Sequence, residues 1–324
     1  MNDHRSFVSP VCALQPAQRL SRRAAACGFT LIELLVVITI IALLIGILLP
    51  SLRKSRLAAY QVVSLANIRS IGTAGGSYQA DNKGALPAVP TGVPVPATIN
   101  AWITWGGWGK FTSTWWTTGG GIFDINPAKR PLNPYLYSGP YPGSSGNYPA
   151  GLTAKVRSEF QIPVFRDPSD RIGHQQTWDA FLPSFGVATP NYDNSSCYED
   201  VGTSYLLQVK WFFQTTRIVG GDWTRAWKTG CARLKTADGF SPSRMIWIND
   251  EYCDITINQV SNTAKIVNGY GDTNKAIVGF LDGHAKYLTM IPGGENDPNA
   301  PLRPWLVPAY NNSEYTVVFP DLRP

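Results

Sequence analysis

The amino-acid sequence predicts an α+β protein. One long N-terminal helix, apolar at first and amphipathic further on, packs on an antiparallel sheet head with long loops. Three observations predict this. Residues 29–49 form an almost unbroken apolar run. Beyond them Leu57, Val62, Leu65, Ile68 and Ile71 recur mostly at three- and four-residue steps, the stripe of a helix with one buried face. The rest of the 324-residue chain holds most of the 30 Gly and 25 Pro and all 11 Trp. Gly and Pro interrupt helices, so that composition favours strand and loop.

The apolar run comes first. Its 21 residues would rise about 31 Å as a helix, close to the hydrocarbon thickness of about 30 Å. A general secretory signal would end in a small-residue cleavage site. Here Ile47, Leu48, Leu49 and Pro50 follow instead, so the run is expected to persist as an anchor. The 28 residues before it hold Arg5, Arg19, Arg22 and Arg23 against Asp3 alone, a net of +3 within a total of +6. No dense basic stripe follows, so nucleic acid is not an expected partner. The one later cluster, Arg53, Lys54 and Arg56, adjoins the span, where cations meet lipid head groups.

Glu33 is the anomaly of the run. A carboxylate near the end of an apolar span needs a partner or a place at the interface. A free amino group on a neighbouring chain would serve, and cleavage just before Phe29 would create one. The segment Gly28-Phe29-Thr30-Leu31-Ile32-Glu33-Leu34-Leu35-Val36-Val37-Ile38 resembles the prepilin cleavage and methylation motif of type IV pilins and type II secretion pseudopilins. The resemblance implies cleavage between Gly28 and Phe29 by a prepilin peptidase that also N-methylates Phe29. It implies that Glu33 is the assembly carboxylate and that Pro50 falls where pilin helices often kink. The flanking charges, Arg22 and Arg23 against Arg53, Lys54 and Arg56, nearly balance. The resemblance decides the orientation: leader in the cytoplasm, head in the periplasm, a single pass through the inner membrane, with display at the cell surface after assembly left open.

The expected organisation is a cleaved leader over 1–28, a transmembrane helix over 29–50, its amphipathic continuation over 51–80, and an extracytoplasmic head over 81–324. Gly72, Gly75 and Gly76 weaken the end of the helix, and Asn82, Gly84 and Pro87 stop it. Residues 88–150 form a Trp-rich insertion. Its Trp102, Trp105, Trp108, Trp115 and Trp116 either cover a thin sheet or present rings to a glycan or another subunit. Strand candidates are 160–165, 202–207, 209–213, 244–249, 276–281 and 285–289. Asp282-Gly283 is a tight hairpin turn between the last two. The tail 291–324 is expected to wrap over the body and end in a short edge strand.

Three further stretches extend the resemblance. Leu65–Gly72, the Pro168-Ser169-Asp170 and Ser204-Tyr205 pairings, and VGFLDGHAKYL with Asp282, Gly283 and His284 are similar to the planctomycete-type H-X9-DG family of pseudopilin-like proteins. Two positions depart from that pattern. Asp167 stands where the family has Cys, and Asp272 stands where the leading His would be.

Little points to catalysis. His4, His174 and His284 form no zinc motif, and neither a G-x-S-x-G elbow nor a phosphate loop occurs. The expectation is no enzyme and no certain cofactor. A calcium ion held by Asp250, Glu251, Asp254, Asp272 and Asp282 is the one cation candidate. Cys231 and Cys253 either pair or, with Cys197, stay separate thiols. The expected partners are the prepilin peptidase/N-methyltransferase, other pilin-like subunits and the inner membrane. The expected function is a structural subunit of a type IV pilus-like or type II secretion pseudopilus-like assembly. The alternative is a membrane-anchored adhesion protein that recognises glycans through its aromatic-rich region.

Overall fold

A computed structural model describes residues 30–90, 99–100, 104–107, 126–139, 141, 162–173, 196–220, 222–236, 241–259, 263–292 and 312–319. The protein is α+β, with one long N-terminal helix and a small four-stranded antiparallel sheet. The chain divides into two units, residues 1–52 and 53–324.

Helix α1 spans Leu31–Asp81 and passes through Pro50 without a break in assignment. Proline removes one N–H from the helical ladder. In the first unit the large aliphatic side chains from Leu31 to Leu49 are all at least 44% exposed. Leucine and isoleucine left bare in water over so long a helix would be costly, at about 25 cal/mol per Å² of apolar surface. Among the described residues this is the one helix long and apolar enough to cross a membrane by length and composition.

In the second unit the same helix packs on the head. Its buried side chains are Ser64, Ile68, Ile71, Gly72, Ala74 and Gly75. They fall on one face at 3.6-residue spacing. The expected stripe is right at Ile68 and Ile71. It is wrong at Val62, which is 66% exposed. As expected, α1 continues through Gly72, Gly75 and Gly76 and ends before Asn82. Two of them admit close approach. A Cβ on Gly75 would lie 2.1 Å from the Trp247 ring, and one on Gly72 would lie 3.3 Å from the Gly283 Cα. The helix stops after Asp81, where Lys83 and Gly84 adopt positive φ and the Gly84 N–H donates to the Gln79 carbonyl at 2.7 Å.

A two-residue ribbon, β1 (Val89–Pro90) with β2 (Ile99–Asn100), follows. The main sheet comprises β3 (Tyr205–Leu207), β4 (Ile246–Asp250), β5 (Lys275–Phe280) and β6 (Ala285–Thr289). Their order is β3-β4-β5-β6, every neighbour antiparallel. Short helices α2 (Asn133–Leu136) and α3 (Cys197–Val201) precede the sheet. Helices α4 (Lys210–Ile218) and α5 (Trp223–Arg233) lie between β3 and β4, and α6 (Glu251–Ile257) follows β4 directly.

Two of the predicted strands take another form among the described residues. Pro163–Phe165 is a 3₁₀ turn, and Pro163 has no backbone N–H to give to a ladder. Residues 210–213 open helix α4. A short apolar run fits either period, and here Trp211, Phe212 and Thr215 turn together into a core with Trp227 and Phe319.

The sheet separates two cores. On one side α1 supplies Ile68 and Ile71 to Tyr205, Leu207, Trp247, Ile248 and Ile277. On the other side α6 supplies Tyr252, Cys253 and Ile257 to Ile246, Ala276, Val278 and Phe280, with Tyr315, Val317 and Val318 from the tail. Strand β5 alternates between the cores with period two. Strand β4 does not: its register shifts between Ile246 and Ile248, and Trp247 and Ile248 both join the α1-side core. Among the described residues of the tail, Thr316 forms a parallel bridge with Met245, the residue before β4.

Candidate functional site

The second unit holds α1 in a socket built partly from glycine and partly from buried polar groups. Gly279 of β5 leaves room for Ile68, since a Cβ there would lie 2.6 Å from Ile68 Cγ2. Gly75 of α1 leaves room for Trp247 in the same way. Helix and sheet thus each lack a side chain where the other projects one. The sequence shows these glycines, yet the close approach is visible only once the register is known.

The polar part centres on the turn 167–170. The Tyr270 hydroxyl donates to the Asp167 carboxyl, 2.8 Å from either oxygen, and lies 3.0 Å from Ser64 Oγ on α1. Asn67 Nδ2, also on α1, donates to the Arg166 carbonyl at 3.0 Å and to Tyr205 Oη at 3.3 Å. Asp167 Oδ1 accepts from the Ser169 N–H at 2.7 Å and from its hydroxyl at 2.9 Å. Asp170 accepts from the Cys197 and Tyr198 N–H groups at the start of α3, at 3.1 and 2.9 Å, and bonds Ser204 Oγ at 2.6 Å. Asp250 caps α6 through the Cys253 N–H and also accepts from the Ile277 N–H of β5.

Burial pushes all three carboxyls up, Asp167 and Asp250 clearly and Asp170 to about 7. Repulsion by Asp167 adds to the rise at Asp170, and repulsion by Asp167 and Asp170 adds to the rise at Asp250. The surrounding donors act in the opposite sense and limit the rise. Asn67, Ser169, Asp170, Ser204 and Tyr205, singled out in the sequence as separate stretches, therefore meet around one helix. Ser64 and Tyr270 complete the site with Gly279 of the VGFLDGHAKYL stretch, and no local pattern marks Ser64 or Tyr270.

The N-terminal site is simpler. The Thr30 N–H and hydroxyl both donate to Glu33 Oε2, at 2.8 and 2.7 Å. The Glu33 N–H lies 3.2 Å from Thr30 Oγ1. This is a capping box, T-x-x-E, in which residue and cap satisfy each other's open donors. The spacing is legible in the sequence, although the assembly motif drew attention to Glu33 alone. Gly28 and Phe29 lie outside the described residues.

Residues 23–49 match the family described as the prokaryotic N-terminal methylation motif. This chain carries a prepilin-type N-terminus. The match covers the apolar run and the six residues before it, and none of the head. No curated protein and no solved structure matches the chain. Together the motif and the long apolar helix support a pilin-like protein with a single-pass membrane anchor.

The other candidate residues take structural places. Gly283, with φ +90°, closes the β5–β6 hairpin, and the Gly283 N–H donates to the Phe280 carbonyl. His284 Nδ1 lies 2.5 Å from Asp282 Oδ1, and its ring stacks on Phe280 at 4.2 Å. The turn touches α1 at Gly72, so the Asp282-Gly283-His284 group serves the same socket.

The five carboxylates considered for calcium do not form one cluster. Asp272 bonds Tyr287 and pairs with Lys275, Asp282 bonds His284, and Asp250 is spent on backbone donors. Among the described residues no group of three or more His, Cys, Asp or Glu could hold a metal ion.

Of the two roles open to the Trp rings, Trp105 takes the covering one and is not a glycan or subunit contact. It is fully buried, donates Nε1 to the Tyr205 carbonyl at 2.9 Å and meets Trp247 edge to face. Trp102, Trp108, Trp115 and Trp116 lie outside the described residues. Cys231 and Cys253 are not bridged, nor is Cys197. Cys253 packs in the α6-side core and Cys231 against the α1-side core, on opposite sides of the sheet.

Proposed function

We propose that this chain is a structural subunit of a type IV pilus-like or type II secretion pseudopilus-like assembly. A prepilin peptidase cuts between Gly28 and Phe29 and methylates Phe29. The span then holds the subunit in the inner membrane with its head in the periplasm until it joins other pilin-like subunits. One observation carries the reading: a prepilin-type motif leads directly into a single helix of 51 residues. The role is assembly and not catalysis.

Glu33 supplies the docking chemistry. A carboxylate in an apolar span needs neutralisation, and the amino group of a neighbour's Phe29 provides it. Its partner in the single chain is Thr30, a neutral donor that leaves the charge uncompensated. Docking would therefore exchange a helix cap for an ion pair.

Intact-mass measurement with N-terminal sequencing of the membrane-extracted protein tests processing. A chain that starts at N-methyl-Phe29 is expected. A chain that keeps residues 1–28 would overturn the subunit reading and leave a signal-anchored surface protein. Glu33→Ala is expected to permit cleavage and to abolish filament assembly.

A further inference from the structure

The cationic segment that follows the apolar run is not used by the socket or by the capping box. Arg53, Lys54 and Arg56 are all exposed. None of the three forms an ion pair among the described residues. From Leu34 to Ala80 the sequence contains no Asp or Glu, while it contains these three cations and Arg69. Arg53 and Arg56 are one helical turn apart, an arrangement in which like charges repel. The helix thus keeps three cations together, with its own two anions, Glu33 and Asp81, 20 or more residues away along the chain.

Their position narrows what can offset them. Arg53 comes four residues after Leu49, the last aliphatic residue of the run. Four residues cover about 6 Å as helix, and about 14 Å at the fullest extension. The polar head-group layer on each side of a bilayer is about 5–8 Å thick, judged from a total of 40–45 Å around a core of about 30 Å. If the apolar run spans the bilayer, Arg53, Lys54 and Arg56 lie in or just beyond that layer. Ser51 and Ser55 intersperse them with further hydrogen-bonding groups.

We propose that Arg53, Lys54 and Arg56 form a collar that recruits anionic phospholipid head groups in the leaflet facing the head. This rests on the reading of residues 31–49 as a membrane span. The occupant is argued from charge and place: guanidinium groups bond phosphate oxygens in pairs, and phosphate is the anion present at that depth. A second copy at the same height would bring like charges together and so is not the first partner of this segment. The consequence is a subunit that stands in the membrane with a shell of anionic lipid, held at a fixed depth, before it docks.

The test uses the full chain in bilayer nanodiscs of phosphatidylcholine with three parts in ten of phosphatidylglycerol. The fraction of spin-labelled lipid immobilised by the protein is read separately for each lipid. The wild type is expected to hold phosphatidylglycerol roughly fivefold over its bulk share. Sodium chloride at high concentration should reduce that preference. The triple variant R53Q/K54Q/R56Q should bring it close to one. Equal preference in wild type and variant would overturn the collar. So would a variant that keeps its lipid shell but loses self-association, because the cations would then belong to an interface between copies. Carbonate extraction of the same samples separates the two ideas. Loss of the chain from the bilayer would remove the span reading and the collar with it. Retention without lipid preference would remove the collar alone.

Discussion

The two halves of α1 make different uses of one backbone. From Leu31 to Leu49 large aliphatic side chains are exposed in every direction. From Ser64 to Gly75 the buried face consists of Ser, Ile, Gly and Ala, with only two large side chains. The first half offers apolar bulk to a solvent that has no shape. The second offers notches to a partner whose shape is fixed. Bulk composition is therefore the signature of a lipid-facing helix, and small residues are that of a helix seated in protein.

The glycines put the strongest strain on this contrast. Gly75→Leu places a side chain where the Trp247 ring already lies, at 2.1 Å from the new Cβ. The head of the full chain in micelles should lose about 3 kcal/mol, read by thermal unfolding. Gly46→Leu meets nothing within 4 Å. It should leave the unfolding midpoint of the head unchanged, and a matched loss at both sites would break the comparison.

The polar side of the socket should be visible in pH dependence. Asp170 holds its proton to about 7 in the folded chain and releases it near the ordinary carboxylate range when unfolded. Between about pH 4 and 7 the unfolded state therefore binds fewer protons, so stability falls as pH rises and is greatest below the unfolded value. Some solvent exposure at Asp170 reduces the effect to about 2 kcal/mol over that window. Asp170→Asn should flatten the slope of the unfolding free energy against pH, whatever its effect on absolute stability. A slope unchanged in the variant would mean that Asp170 is ionised throughout.

A smaller effect belongs to the hairpin turn beneath Gly72. Gly283 has φ +90° and open space where a Cβ would go. Gly283→Ala thus costs only conformational strain, about 1 kcal/mol. A denaturant midpoint shift much larger than this would mean that the added methyl also disturbs the contact of the turn with Gly72.

Legibility in the sequence followed the same division. The span, Glu33, the strands over 246–250, 275–280 and 285–289, and the glycine turn were all readable, because each depends on local period or local chemistry. Helix α4 was read as a strand, since five apolar or polar residues cannot distinguish periods of two and 3.6. The stripe on α1 fails at Val62, which is exposed, and no local pattern shows that Gly72 and Gly75 admit Gly283 and Trp247. Asp167 gave no local sign that it would be buried under Tyr270, 103 residues away. For Trp105 the sequence leaves covering and exposed roles open, because ring-rich, Gly-rich stretches fit both, and burial decides for the first.

The subtlest difference between the halves lies at the start of α1. Thr30 and Glu33 close a capping box there, whereas the other end is closed by the Gly84 N–H on the Gln79 carbonyl. Thr30→Ala removes the hydroxyl that the Glu33 N–H meets and one of the two donors to the Glu33 carboxylate. Amide exchange over residues 31–34 should rise roughly fivefold, with no change beyond the second turn. Glu33→Gln keeps an oxygen for the Thr30 N–H and should preserve the cap while losing the charge. If the proposed docking depends on charge, assembly fails in Glu33→Gln and survives in Thr30→Ala. If it depends on an ordered first turn, the two variants exchange outcomes.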